Sequence, residues 1–143
     1  GCNARFEVLI AESLRDLNVF GDCLLEGGEW ISVYDGVVTN DPSDFDIDHL
    51  VPLAEAWDSG ASEWDPERRA AFANALDSPE ALVAVSASSN RSKSDKDPAE
   101  WLPPDETYWC TYATDWVKVK SDWGLSVDPA EKSSLTQVLE GCS

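Results

Sequence analysis

Asp46-Ile47-Asp48-His49-Leu50-Val51-Pro52 holds the chain's only histidine beside two carboxylates, just ahead of a Leu-Val-Pro exit. Its alternation of acidic and apolar residues predicts a strand over 45–51, in which residues two apart share a face. Asp44, Asp46 and Asp48 then share one face, with Phe45, Ile47 and, near the strand's end, His49 on the other. Three stacked carboxylates repel unless a cation or solvent intervenes, so the pattern points to a metal. Histidine is the one side chain whose ordinary charge change falls near neutrality.

Working outward, the apolar run Leu82-Val83-Ala84-Val85 predicts a second short strand over 81–85. The polar segment Ser89-Asn90-Arg91-Ser92-Lys93-Ser94-Asp95 follows it and is expected to become helical after a turn. Upstream, helical spacing predicts a first helix over 4–16, and Glu29–Tyr34 with the turn signal Asp35-Gly36 predicts a small hairpin returning through Val37–Thr39. Asp65 and Pro66 read as cap and first position of a helix reaching about Leu76. Tyr108, Tyr112, Trp116 and Trp123 form an aromatic stripe on a helix over 107–125, and a last helix runs from Asp128-Pro129 to Leu139. Helices and short strands in this order give an α+β fold.

With 143 residues, 43% of them hydrophobic and 10% aromatic, the chain is expected to form one globular domain over 1–143. No apolar run has the length of a membrane span, and no signal-peptide pattern is present. The start at Gly1-Cys2 is expected of a processed or trimmed form. Four cysteines lie far apart with no C-x-x-C pair, which disfavours a zinc ribbon or a redox motif. An even count without methionine fits an oxidising compartment and a secreted protein. Of the three connectivities, the favoured one clips the two ends separately, as Cys2–Cys23 and Cys110–Cys142. Each bridge stabilises by about 2–4 kcal/mol.

Ten basic residues against 28 acidic ones give a formal net charge of −18, which argues against a polyanionic partner. Local charge differs: Arg91, Lys93 and Lys96 cluster, and Arg68-Arg69 form a second basic spot. From Asp44 to Glu55 the acids fall near the spacing of a calcium loop, but His49 stands where that loop needs glycine. Asn90-Arg91-Ser92 matches a glycosylation sequon, which competes with a metal role for Asn90. Seven tryptophans raise a carbohydrate platform, although they are scattered without periodicity. Phosphodiester hydrolysis needs a deprotonated water, charge neutralisation at phosphate and help for the leaving oxygen. A neutral His49 supplies the first, and a divalent ion on Asp48 and Asn90 the other two.

Asp46-Ile47-Asp48-His49-Leu50-Val51-Pro52 followed by Ser89-Asn90-Arg91-Ser92-Lys93-Ser94-Asp95 resembles the HNH (ββα-metal, His-Me finger) endonucleases, and among them small secreted microbial DNases. The likeness extends to Gly1-Cys2-Asn3-Ala4-Arg5, Phe72-Ala73-Asn74, the segment Pro98–Pro104 and the terminal cysteine, nearly the whole chain. It implies a ββα-metal core with surrounding helices, and His49 as general base. Asp48 and Asn90 would be the ligands of one Mg2+ or Mn2+, with Asp46 as auxiliary acid. Arg91, Lys93 and Arg5 would contact substrate phosphate. The third histidine of the motif is absent, which favours an oxygen-rich site over an all-histidine one, and the segment that usually precedes the first cysteine is missing. The expected function is largely nonspecific hydrolysis of DNA, with RNA left open, by a monomer. The rivals are a non-catalytic calcium- or carbohydrate-binding module and an inactive nuclease-fold domain.

Overall fold

Asn3 accepts a hydrogen bond from the Phe6 amide and so starts α1 (Ala4–Glu12), which ends earlier than expected because Ser13 turns extended. The computed structural model describes residues 3–21 and 23–142. Two antiparallel hairpins follow: β1 (Leu17–Val19) with β2 (Leu25–Gly27), unannounced by the sequence, and β3 (Trp30–Ile31) with β4 (Val38–Thr39), around the expected Asp35-Gly36 turn. A 3-10 turn at Pro42–Asp44 delivers the chain into β5 (Phe45–His49).

The strand stops at His49, two residues short of the expected Val51, and α2 (Leu53–Asp58) begins directly after Pro52. Asp65 accepts from the Arg68 amide and Pro66 opens α3 (Pro66–Ala73), the cap and first position expected. The chain then returns as β6 (Leu82–Ser86), antiparallel to β5, with Asp46 opposite Val85, Asp48 opposite Val83 and His49 opposite Leu82. α4 (Ala87–Lys93) starts straight off β6 rather than after a turn. α5 (Trp109–Trp123) carries the aromatic stripe and stops at Gly124, whose φ of 66° is a left-handed cap. α6 (Pro129–Glu140) opens with a capping box of Asp128 and Glu131.

The pairing of β5 with β6 divides the core. Phe45, Leu82 and Ala84 pack under α1 with Val8, Leu9 and Trp30. Val85, on the opposite face, joins Tyr34, Tyr112, Trp116 and Val119 in the larger cluster around α5. Asp46 and Asp48 alternate onto this second face. Asp48 is therefore buried, at 6% exposure, rather than standing on a solvated acidic edge. The expected disulfide Cys110–Cys142 ties the start of α5 to the end of α6. The expected Cys2–Cys23 pairing lies outside the described residues.

Candidate functional site

The register of β5 against β6 and the attachment of α4 to the end of β6 bring Asp46, Asp48, His49 and Asn90 together. α4 is held by Asp35, at the turn between β3 and β4, whose Oδ2 accepts from the hydroxyls of Ser86 and Ser89, the latter at 2.7 Å. Burial pushes the Asp35 carboxyl up, but bonds from Ser86, Ser89, Val37 and Ser32 outweigh it and hold the pKa below the usual range. The Ser86 amide also donates to Ser32 Oγ at 3.0 Å. Thus the hairpin fixes where the helix begins.

One turn of α4 then faces β5. Asn90 Nδ2 donates to Asp46 Oδ2 at 3.1 Å, which leaves the Asn90 carbonyl oxygen as the group's free acceptor. A glycan on that nitrogen would break this bond. Lys93 is fully buried, and its ammonium donates to Asp48 Oδ2 at 2.6 Å, to the His49 carbonyl at 2.9 Å and to the Leu50 carbonyl at 2.8 Å. An ammonium has three donors, so none remains for a phosphate. The phosphate contact expected of Lys93 gives way to an internal ion pair. Burial pulls its pKa below the ordinary lysine value, opposed by the Asp48 charge.

Tyr34 completes the Asp48 environment, its hydroxyl donating to Oδ2 at 2.7 Å. Burial first, and then the Asp48 charge, push the Tyr34 pKa well above its usual value, so the phenol stays a donor. Two donors therefore fix one carboxylate oxygen of Asp48, and among the described residues its other oxygen has no hydrogen-bond partner.

His49 Nε2 lies 2.9 Å from the carbonyl oxygen of Ala73, at the end of α3. A carbonyl only accepts, so Nε2 carries the proton and, in the neutral ring, Nδ1 is the atom able to take one. An open cleft of about 300 Å³ is bordered by Asp48, His49, Leu53, Asn90 and Asp95. Arg91 is exposed on α4. Arg5 stands apart, donating to the carbonyls of Phe45 at 2.7 Å and Pro42 at 2.8 Å, where it clamps the entry to β5.

One carboxylate oxygen and one amide oxygen, with the remaining positions open to solvent, suit a hard divalent cation such as Mg2+. The calcium-loop spacing does not survive folding. Asp44 accepts from Thr39 at 2.8 Å, Asp46 and Asp48 turn to α4, and Glu55 points away to Lys120 at 2.8 Å. Among the described residues, one trio of acids is close enough to share an ion: Glu55, Asp97 and Glu131. The buried Lys120 ammonium already reaches two of them, Glu131 at 2.7 Å and Glu55 at 2.8 Å. The tryptophans Trp30 and Trp116 are buried in the core, which removes them from any sugar platform.

In the sequence Tyr34 and Asp35 read only as residues of a hairpin and its turn, and Asp95 only as the end of the Ser89–Asp95 segment; none of the three carries a local signal of a role at the cleft.

A family model described as GmrSD restriction endonucleases, C-terminal domain, matches residues 23–138. An uncharacterized secreted protein of Arthroderma benhamiae is 46% identical over 141 residues, covering 99% of this chain and 68% of that protein. No solved structure matches the chain. The relative's name and the Cys110–Cys142 disulfide agree with the expected secretion. No helix among the described residues is long and apolar enough to cross a membrane.

Proposed function

The chain belongs to the HNH-type nuclease family of the GmrSD restriction endonuclease C-terminal domain, and from that premise we propose that it is a secreted, divalent-metal-dependent, largely nonspecific DNA endonuclease. In this proposal β5, β6 and α4 are the ββα-metal core. One observation carries the proposal: His49 is anchored through Nε2 to the Ala73 carbonyl beside Asp48 and Asn90 in a single open cleft.

Asp48 Oδ1 and Asn90 Oδ1 are the atoms that would hold the cation. When bound, it neutralises the scissile phosphate and assists the leaving oxygen. His49 Nδ1 takes the proton of a water aligned opposite the 3′ oxygen, so that hydrolysis leaves 5′-phosphate and 3′-hydroxyl ends. The Ala73 carbonyl holds the ring in the competent tautomer and stabilises the charge it acquires. Tyr34 and Lys93 fix the Asp48 carboxylate, and Asp46 fixes the Asn90 amide. Arg91, exposed on α4 next in sequence to Asn90, is the phosphate contact in this scheme.

The acidity of the chain gains a role here. Lys93 compensates one carboxylate of the cleft, Asp48, whereas Asp95 on its border adds a negative charge that would favour a cation over bare phosphate. His49→Ala should abolish plasmid cleavage in Mg2+ or Mn2+ while the protein still folds, with a melting temperature lowered only by the lost Ala73 bond, and chelator should silence the native protein. Near-native cleavage by His49→Ala would refute the assignment of the base.

A further inference from the structure

α2 leaves the cleft at Leu53 and presents Trp57 one turn later, so the two side chains share a face. They are 48% and 49% exposed, an apolar pair left in water, and Leu53 borders the cleft that holds His49. Past them lies a second hollow of about 320 Å³, walled by Ala61, Trp64, Phe72 and Ala73 among others. Leu53 borders both hollows, and the carbonyl that anchors His49 belongs to Ala73 in the wall of the second. The cleft and this hollow are therefore neighbours that share Leu53 as a wall.

The chain has 28 acidic residues, yet none lines this hollow, whereas Arg69 does. The Arg69 guanidinium lies 4.8 Å from the centroid of the Trp57 ring. It donates to the carbonyls of Ala61 at 3.0 Å and Trp64 at 2.6 Å, so it is fixed in place and holds the indole while keeping its charge. Arg68, its neighbour, sits 4.5 Å from the Trp64 ring centroid.

An apolar slot with aromatic walls and a cationic rim, opening beside a phosphate-handling cleft, has the chemistry of a base-stacking subsite. A lipid tail or an apolar peptide has no need of the cation or of the missing acids; a base tethered to phosphates does. We propose that the hollow between Leu53, Trp57 and Arg69 receives an unstacked nucleobase next to the phosphate held over His49, giving a preference for single-stranded or locally unpaired nucleic acid. This proposal rests on the nuclease reading above.

The test uses the full chain, 12-nucleotide single strands that are intact or carry one abasic site scanned along the strand, and matched duplexes. In Mg2+, Trp57→Ala should lower kcat/KM on the intact single strand roughly tenfold or more, with Trp57→Phe recovering part of the loss. An abasic site at the matching position should produce the same loss in the native protein and none in Trp57→Ala. In chelator, the intact strand should quench native fluorescence, and the quench should vanish in Trp57→Ala. Cleavage that ignores Trp57 and the abasic site overturns the inference and leaves the nuclease reading standing. Base-dependent quenching without any cleavage overturns the nuclease reading and leaves the subsite. A Trp57 emission shift with phosphatidylglycerol vesicles, but none with oligonucleotide, identifies a lipid-docking patch and overturns the inference.

Discussion

Replacing Lys93 with methionine separates two roles for that side chain, a phosphate contact and the counter-charge of Asp48. The ammonium is buried and gives its three donors to Asp48 Oδ2, His49 O and Leu50 O. Removing one member of a buried pair leaves an uncompensated charge and costs about 3–5 kcal/mol. Methionine restores some of the apolar packing of the stem, so about 4 kcal/mol is expected, a large share of a domain's typical stability of about 5–15 kcal/mol. For a chain of this size that lowers the melting temperature by roughly 10 °C. Urea unfolding at neutral pH, followed by tryptophan fluorescence, measures it. Adding Asp48→Asn to Lys93→Met should recover part of the loss, because the stranded charge is gone. In parallel, DNA binding is measured against salt in a His49→Ala background, where each phosphate contact contributes about 0.9 to the slope. Lys93→Met should leave the slope unchanged, whereas Arg91→Ala should lower it by about that amount and shift stability by less than about 0.5 kcal/mol. A Lys93→Met protein of native stability and reduced salt slope would refute the ion pair and restore the phosphate contact.

Lys120→Met should cost about 3–5 kcal/mol near neutrality, since it strands the buried Glu131 and removes the partner of the half-buried Glu55. Burial already holds the Glu55 and Asp97 carboxyls above their usual range, so the loss should shrink as pH falls and they protonate; urea melts at neutral pH and near pH 5 check this. Glu12, whose carboxylate accepts from the Ala84 amide, is pushed by burial to about 7 from 4.5. A raised folded pKa stabilises below the unfolded value and loses that contribution as pH rises through the folded one. Relative to Glu12→Gln, the native protein should therefore lose on the order of 2 kcal/mol between about pH 4.5 and pH 8, and parallel stability curves would count against it. Cys110→Ser with Cys142→Ser opens a loop of sequence separation 32 and should lower stability by about 3–4 kcal/mol in non-reducing buffer, with no loss of His49-dependent cleavage when assayed well below the melting temperature.

The cleft was legible where local pattern encodes it. Alternation in Phe45–His49 placed Asp46 and Asp48 on one face, and the spacing of Asn90 beyond an apolar strand brought the amide to them. What stayed hidden depends on partners distant in sequence. Lys93 looks like a solvated helix cation because its carboxylate lies 45 positions away, and Glu55 looks like a loop ligand because Lys120 lies 65 positions away. Helix α2 was masked by Pro52, which closes an apolar stretch but is equally suited to a helix entrance. The hairpin of β1 and β2 carries little burial, so no clean apolar alternation announced it.

The distances along the chain have a kinetic consequence. Asp48 meets Tyr34 across 14 positions and Lys93 across 45, and Asp46 meets Asn90 across 44. Such closures follow helix formation by orders of magnitude in time, because chain entropy is spent before the contacts reward it. A nascent or partly folded chain can hold its helices and still lack the cleft altogether. Competence thus arrives with the last long-range closure.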